Sequence, residues 1–197
     1  MVLLPVLETK RLYLRPIKKE DAPSVFAYAT NPEVGPNAGW KPHEDISEAE
    51  RFIDYCIKKR EFGQPGNYAI ILKSENKMIG TIEVHSYKEH KGEIGFVLHP
   101  DYWNQGIMTE AAKMVIVYAF EILQLERLSY NHFLGNERSK RVCEKLQFQF
   151  EGVLRKKFKR YDGVAIDEAV YSIIDTDYFS KKLTWLKAFR NEIDRLR

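Results

Sequence analysis

EIGFVLHPDYWNQGIMTEAAKMVIVYAFEIL, Glu93 to Leu123, is the stretch from which the rest of the chain is read. Ile94 to Leu98 is apolar and β-branched enough for a buried strand, and His99-Pro100-Asp101 ends it. Tyr102 to Gly106 then makes a turn. From Met108 the apolar positions recur at Ala111, Ala112, Val115, Ala119, Ile122 and Leu123, which is helical spacing. A helix opening out of such a turn presents unpaired N–H groups and the positive end of its dipole, so it can hold a phosphate without a cationic side chain. Gly106 lets that ligand approach the backbone closely. A glycine before a helix also serves as a plain tight connection, so this signal alone leaves both readings open.

The composition excludes several classes. At 197 residues, with 44% hydrophobic, 30% charged and 13% aromatic residues, the chain suits one folded domain or a domain with an appendage, not a disordered linker. A formal charge of +3 is too small to call for nucleic acid. The densest basic cluster, Arg155 to Arg160, either steers an acidic partner or an anionic coenzyme, or is a solvated hairpin face. Cys56 and Cys143 have no metal-like spacing and sit in amphipathic patterns, so both are expected to be reduced and structural, and no metal is expected. The apolar start MVLLPVLETK is short, lacks a basic beginning and is broken by Pro5, so neither signal peptide nor membrane span is expected, and the location expected is cytoplasmic.

Taken in order, Arg11 to Ile17 alternates as a half-buried strand and Lys18 to Ala29 turns helical, with Pro23 tolerated near its start. Thr30 to Asp45 is a loop carrying Trp40 and His43. A second helix is predicted from Ser47, capped by Ser47 and Glu50, with Ala49, Phe52, Ile53, Cys56 and Ile57 as its buried stripe. Tyr68 to Leu72 and Lys77 to His85 form a hairpin around Ser74-Glu75-Asn76, and the strand at Glu93 continues the meander. Strands follow at Arg127 to Phe133 and Phe148 to Val153, with a helix at Asn136 to Leu146 between them, and an Asp162-Gly163 turn separates Leu154 to Tyr161 from Val164 to Ile174. Phe179, Leu183, Leu186, Ile193 and Leu196 predict one amphipathic helix over Asp175 to Arg197, which either packs on its own domain or forms a homodimer. The order implies an α/β fold with a mixed sheet, meandering first and then crossing over in parallel through the central helix. That topology opens the sheet beside the helix that begins at Gly106. The division expected is a domain over 1–175 and a helical extension over 176–197.

With that order in hand, the sequence resembles the GCN5-related N-acetyltransferases (GNAT), in the branch of the RimJ/RimL-type ribosomal-protein N-terminal acetyltransferases. LETKRLYLRPIKKEDA resembles the family's opening strand and helix, and Trp40 to His43 with Glu48-Ala49 and Phe52-Ile53 resembles its second helix and the loop before it. EIGFVLHPDYWNQGIMTEA resembles the acetyl-coenzyme A segment, GNERSKRVCEKLQFQFEGVLR the motif that follows, and YDGVAIDEAVYSI the last hairpin. The resemblance implies a mostly antiparallel mixed sheet flanked by helices, here with an extra C-terminal helix. It further implies acetyl-CoA as cosubstrate, with the pyrophosphate on the N–H groups of Gln105, Gly106, Ile107, Met108 and Thr109. The pantetheine arm would add to the strand at Phe96, Val97 and Leu98, and Asn136 would contact the coenzyme. Trp103 and Met108 replace the Gln or Arg and the Gly or Ala of the broad family pattern, which throws the phosphates onto backbone donors more than onto an arginine.

Acetyl transfer to an amine needs a neutral amine, a donor for the developing oxyanion and a proton for the leaving thiolate. By resemblance the donor is a backbone N–H near Val97 or Leu98, and Ser139 is the acid. Ser139 read by itself is an ordinary first-turn residue behind an Asn136 N-cap. Glu83 and Glu93 are the candidate bases, or else carboxylates of a solvent face, with His85 and His132 in reserve. Phe158 stands where one close branch has a proposed glutamate base. Trp40 and His43, with the basic hairpin, are expected at the acceptor. The acceptor expected is a protein N-terminal amine, with a small amine such as a polyamine or amine antibiotic as the alternative. A coenzyme-binding sensor without catalysis is the rival from another class.

Overall fold

The computed structural model describes residues 4–180 and 182–196. Its eight strands form one sheet in the order β1-β2-β3-β4-β5-β6-β8-β7. They are β1 (Leu7–Glu8), β2 (Leu12–Pro16), β3 (Asn67–Leu72), β4 (Lys77–Lys88), β5 (Lys91–Leu98), β6 (Arg127–Phe133), β7 (Gln149–Lys159) and β8 (Ala165–Ile174). The helices are α1 (Ala22–Ala29), α2 (Ile46–Glu61), α3 (Ile107–Glu121), α4 (Glu137–Leu146), α5 (Asp175–Phe179) and α6 (Leu186–Asp194). All pairings are antiparallel except β5 with β6, which α3 connects as a parallel crossover. This is the mixed α/β architecture expected.

Two cores lie on opposite faces of the sheet. Ile82, Val84, Ile94 and Leu98 pack with α3, α4 and α6, while Ala69 and Ile71 pack with Val25 of α1 and Ile53 of α2. Every residue of β3 is therefore buried, as a strand covered on both faces must be. α3 is apolar nearly all round because the sheet, α4 and the C-terminal segment enclose it.

Two expectations are corrected. The second helix begins at Ile46, and its capping box is Asp45 with Glu48 rather than Ser47 with Glu50; Asp45 accepts from the Ser47 N–H. Asp45 has the extended backbone an N-cap needs, which the Ser47 spacing did not reveal. The C-terminal segment is two short helices, α5 and α6, not one, and Lys181 and Arg197 of the predicted helix lie outside the described residues. Tertiary anchors hold the halves separately: Tyr178 stacks on Phe120 at 4.7 Å, and the buried Trp185 Nε1 donates to the Leu146 carbonyl at 3.0 Å. Leu183, Leu186 and Ile193 are buried as expected, but Phe179 and Leu196 are exposed.

Candidate active site

β5 and β6 pair only over Lys91–Arg127, Gly92–Leu128 and Glu93–Ser129. Beyond Glu93 they part: β5 stays with β4 as far as Leu98 opposite Gly80, and β6 stays with β8 as far as Phe133 opposite Glu168. The sheet splits into a cleft of about 820 Å³. The His99 N–H is bonded to the Ile79 carbonyl, and the strand's alternation turns the N–H groups of Leu98 and Phe96 the other way, to the open side. The Leu98 carbonyl agrees, accepting from Trp103 Nε1 at 2.8 Å. Leu98, not Val97, thus presents a backbone donor to the gap.

α3 points its N-terminus at this gap. Its N-cap, Gly106, has φ 73°, a left-handed conformation that glycine takes without steric cost. The first bond of the helix runs from the Glu110 N–H to the Gly106 carbonyl, which leaves Ile107, Met108 and Thr109 with N–H groups ahead of the ladder. The Glu110 carboxylate locks the turn to the first hairpin, accepting from the Thr9 hydroxyl at 2.6 Å, the Arg11 N–H at 2.9 Å and Arg11 Nε at 2.6 Å. Burial pushes Glu110 up, but these donors outweigh it and hold the carboxyl below its ordinary range. Arg11 Nη1 also donates to the Gln105 carbonyl at 3.0 Å, which brings a guanidinium beside the turn. No local signal marked Arg11. It sets an arginine beside a site read as relying on backbone donors.

The α4 side of the cleft carries Asn136, Arg138, Ser139, Arg141 and Lys145. Asn136 is the N-cap, its Oδ1 accepting from the Ser139 N–H at 3.1 Å. Ser139 Oγ lies 2.9 Å from Tyr130 Oη, which also donates to the Ser139 carbonyl at 2.9 Å. Burial drives the Tyr130 phenol strongly up, against the pull of the Ser139 hydrogen bond, so it stays protonated. His132 is buried against Tyr171 with Nδ1 at 3.0 Å from the Phe133 carbonyl, and its Nε2 is buried with no partner among the described residues.

The opposite face of the sheet carries Thr81, Glu83 and His85 of β4, Glu93 of β5, Asn131 and Phe133 of β6 and Glu168 of β8. Glu83 forms an ion pair with Lys59 of α2. Glu93 lies 3.7 Å from His85 Nε2. Burial, then the neighbouring Glu93, pushes the Glu168 carboxyl up, while Lys157 and His85 pull it down. Glu168 carried no signal in the sequence beyond its place in the last strand. Asn67 and Asn131 each hold a buried Oδ1 with no partner among the described residues. Trp40 and His43 stand at the mouth with centroids 5.2 Å apart, and burial lowers the His43 pKa. Phe158 packs on Phe133 at 5.0 Å. Of the residues expected at the site, Glu83, Glu93, Phe96, Val97, Leu98, Gly106, Ile107, Met108, Thr109, Asn136, Ser139, Trp40 and His43 all line the cleft; Gln105 does not, its side chain donating to the Asp101 carbonyl. Among the described residues no group of His, Cys, Asp and Glu is placed to hold a metal, and no helix is long and apolar enough to cross a membrane.

Comparison with known proteins agrees with this geometry. Residues 11–149 match the family model described as an acetyltransferase (GNAT) domain. The chain is 34% identical over 174 residues to the uncharacterized N-acetyltransferase YoaA of Bacillus subtilis, covering 87% of this chain and 98% of that one. It is 25% identical to spermidine N(1)-acetyltransferase of Escherichia coli, covering 74% and 76%. It superposes on the crystal structure of a GNAT-family acetyltransferase from Bacillus anthracis with a TM-score of 0.77 at 27% identity, covering 87% and 99%.

Proposed function

Since the chain belongs to the GNAT acetyltransferases, enzymes that move an acetyl group from acetyl-CoA to an amine, we propose that it acetylates a protein N-terminal α-amine in a ternary complex. The observation that carries the reading is the split between β5 and β6, with a free strand edge and the start of α3 on one side and a polar chamber on the other.

The residues present fit acetyl-CoA. The N–H groups of Ile107, Met108 and Thr109 would meet its pyrophosphate, joined by Gly106 and flanked by Arg11. Arg138, Arg141 and Lys145 favour an anionic ligand along α4. Phe96 and Leu98 offer their open edge to the pantetheine amides in the manner of an added strand, and Asn136 stands at the far lip. Acetyl-CoA supplies an activated acyl group and a thiolate leaving group. The N–H groups of Phe96 and Leu98 are the donors turned towards the gap, and one of them would meet a developing oxyanion while the other holds the pantetheine arm.

Ser139 is the proton donor to the thiolate in this reading. With the Tyr130 proton on the Ser139 carbonyl, the Ser139 hydroxyl rests by donating to Tyr130 Oη, and a rotation about one bond presents it to the cleft. Trp40 and His43 border the acceptor's entry. The unpartnered oxygens of Asn67 and Asn131 suit the N–H groups that a peptide N-terminus brings. A second reading is a small polycation: Glu93 and Glu168 leave the chamber with carboxylates that attract a second ammonium, and one relative is named for spermidine. Helix α6 packs on its own domain, which supports a self-contained unit.

Calorimetric titration with acetyl-CoA, followed by a free-thiol assay against Ala- and Ser-starting peptides, spermidine and an aminoglycoside, tests this. Binding with thiol release on the peptides is the expected result. Release on spermidine alone transfers the assignment to the second reading, and binding without release on any amine removes catalysis.

A further inference from the structure

His85 sits where β4 stops being regular. The β4–β5 register shifts between His85 and Lys88, and Ser86 takes a left-handed φ of 50°. A bulge of this kind bends the strand and re-aims a side chain. The imidazole leans along the sheet towards the gap and lies over Gly95: a Cβ there would stand 2.9 Å from Cδ2 and 3.1 Å from Nε2. Gly95 thus makes the room the ring occupies. Ser86 Oγ meets Nδ1 at 3.0 Å, and the Glu93 carboxylate lies 3.7 Å from Nε2. The ring is about one-third exposed, so it is wet enough to exchange a proton with solvent.

The other charges around it are accounted for. Glu83, two residues before it on β4, is taken up by Lys59 of α2. Glu168 of β8 faces it across the gap, with Lys157 of β7 beside Glu168. Among the described residues, Glu93 of β5 is the one carboxylate within ion-pair distance of the ring.

We propose that His85 is the general base of acetyl transfer, held in place by the bulge at Ser86 and the open floor at Gly95, with Glu93 as its positioning residue. The assignment rests on the acetyl-transfer reading. Nε2 takes one proton from the acceptor ammonium and releases it to solvent. The freed lone pair attacks the thioester carbonyl and forms the N–C bond while the carbonyl π electrons move to oxygen. As the oxyanion collapses the C–S bond breaks, Nε2 takes the second nitrogen proton, and Ser139 gives its hydroxyl proton to the thiolate and regains one through solvent. Glu93 steadies the imidazolium between these events. Glu83 is already paired with Lys59, and Glu93 lies 3.7 Å from Nε2, where its charge favours the imidazolium that forms there.

The test compares wild type with His85→Gln, His85→Ala, Glu93→Gln and Gly95→Ala. For wild type, kcat at saturating acceptor rises with pH and then levels. In His85→Gln it falls about 100-fold near neutrality and climbs steadily with pH towards the amine's own titration. Free imidazole restores part of the rate to His85→Ala. Gly95→Ala, which displaces the ring, and Glu93→Gln each lower kcat about 10-fold, while calorimetric acetyl-CoA affinity in all variants stays within about 3-fold and reports intact folding. A readout independent of turnover is the His85 ring Cε1–H resonance, identified by its loss in His85→Gln, which moves on addition of spermidine or an Ala-starting peptide. A His85→Gln enzyme with wild-type kcat and an unchanged profile overturns the base. A wild type that binds acetyl-CoA and turns over no amine overturns the acetyl-transfer reading, and the base with it.

Discussion

Arg11 donates through Nε to Glu110 Oε2 at 2.6 Å and through its own N–H to Oε1 at 2.9 Å, so one carboxylate ties the first hairpin to the first turn of α3. The contact joins residues 99 positions apart and fixes the turn whose N–H groups face the cleft. Its strength lies in the buried partners, since Arg11 itself is well exposed and its charge is screened. Glu110→Gln is expected to cost about 1–3 kcal/mol in denaturant unfolding at neutral pH and to weaken acetyl-CoA binding several-fold, because the turn is no longer held.

The same carboxylate sets a pH dependence. Its folded pKa is held below the ordinary value, so the group binds fewer protons folded than unfolded. Its contribution is complete above the unfolded carboxylate pKa of about 4.3 and is lost as pH falls through the lowered folded value. The stability difference between wild type and Glu110→Gln should therefore shrink between neutral pH and about pH 3. A difference that stays constant over that range would show that the carboxylate's charge contributes nothing.

Glu83 and Lys59 form a partly buried pair between β4 and α2. Removing one partner leaves a charge in an environment that solvates it poorly, whereas removing both leaves none. Lys59→Met alone should cost about 3 kcal/mol, and adding Glu83→Gln should recover most of it. Glu83→Gln should keep kcat within about 3-fold. A loss of 100-fold or more, with acetyl-CoA affinity intact, would return the base to Glu83.

Much of this was legible in the chain, and what was hidden has a common cause. β6 ran from Arg127 to Phe133 as read, and α3 began one residue before Met108, because both elements are set by local periodicity and by punctuation at Pro100 and Gly106. Arg11, Lys59, Tyr130 and Glu168 enter the site only through tertiary pairing across the sheet, and no spacing in the sequence encodes which strand lies beside which. The α2 cap was misplaced because Asp45 to Glu48 and Ser47 to Glu50 have the same spacing, and backbone geometry chooses between them. The C-terminal helix was overextended because helical spacing persisted across a break that Tyr178 and Trp185 impose by packing on different partners.

Ser139 and Tyr130 make a prediction that separates chemistry from scaffolding. Ser139→Ala removes the hydroxyl but keeps the carbonyl that Tyr130 uses, so stability should change by less than about 1 kcal/mol. kcat should fall about 10- to 100-fold, with calorimetric acetyl-CoA affinity unchanged. Tyr130→Phe, by contrast, strips both contacts from a fully buried ring and should lower stability by about 1–2 kcal/mol along with rate. Equal turnover in wild type and Ser139→Ala would reduce Ser139 to a first-turn residue.

Trp185 closes the α4 side of the core. Its Nε1 satisfies the Leu146 carbonyl near the end of α4, and Lys113 of α3 lies over its ring at 5.3 Å, so the indole joins three helices at once. Trp185→Ala would leave a large cavity and an unsatisfied carbonyl, an expected loss of about 3–5 kcal/mol in unfolding. Trp185→Phe keeps much of the volume and should cost less. Because α4 carries Asn136 and Ser139, the Ala variant should also raise the KM for acetyl-CoA, while a chain ending at Ser180 should show the same two defects together. If that shortened chain unfolds at the wild-type midpoint, the C-terminal helix is an appendage rather than part of the wall behind the active site.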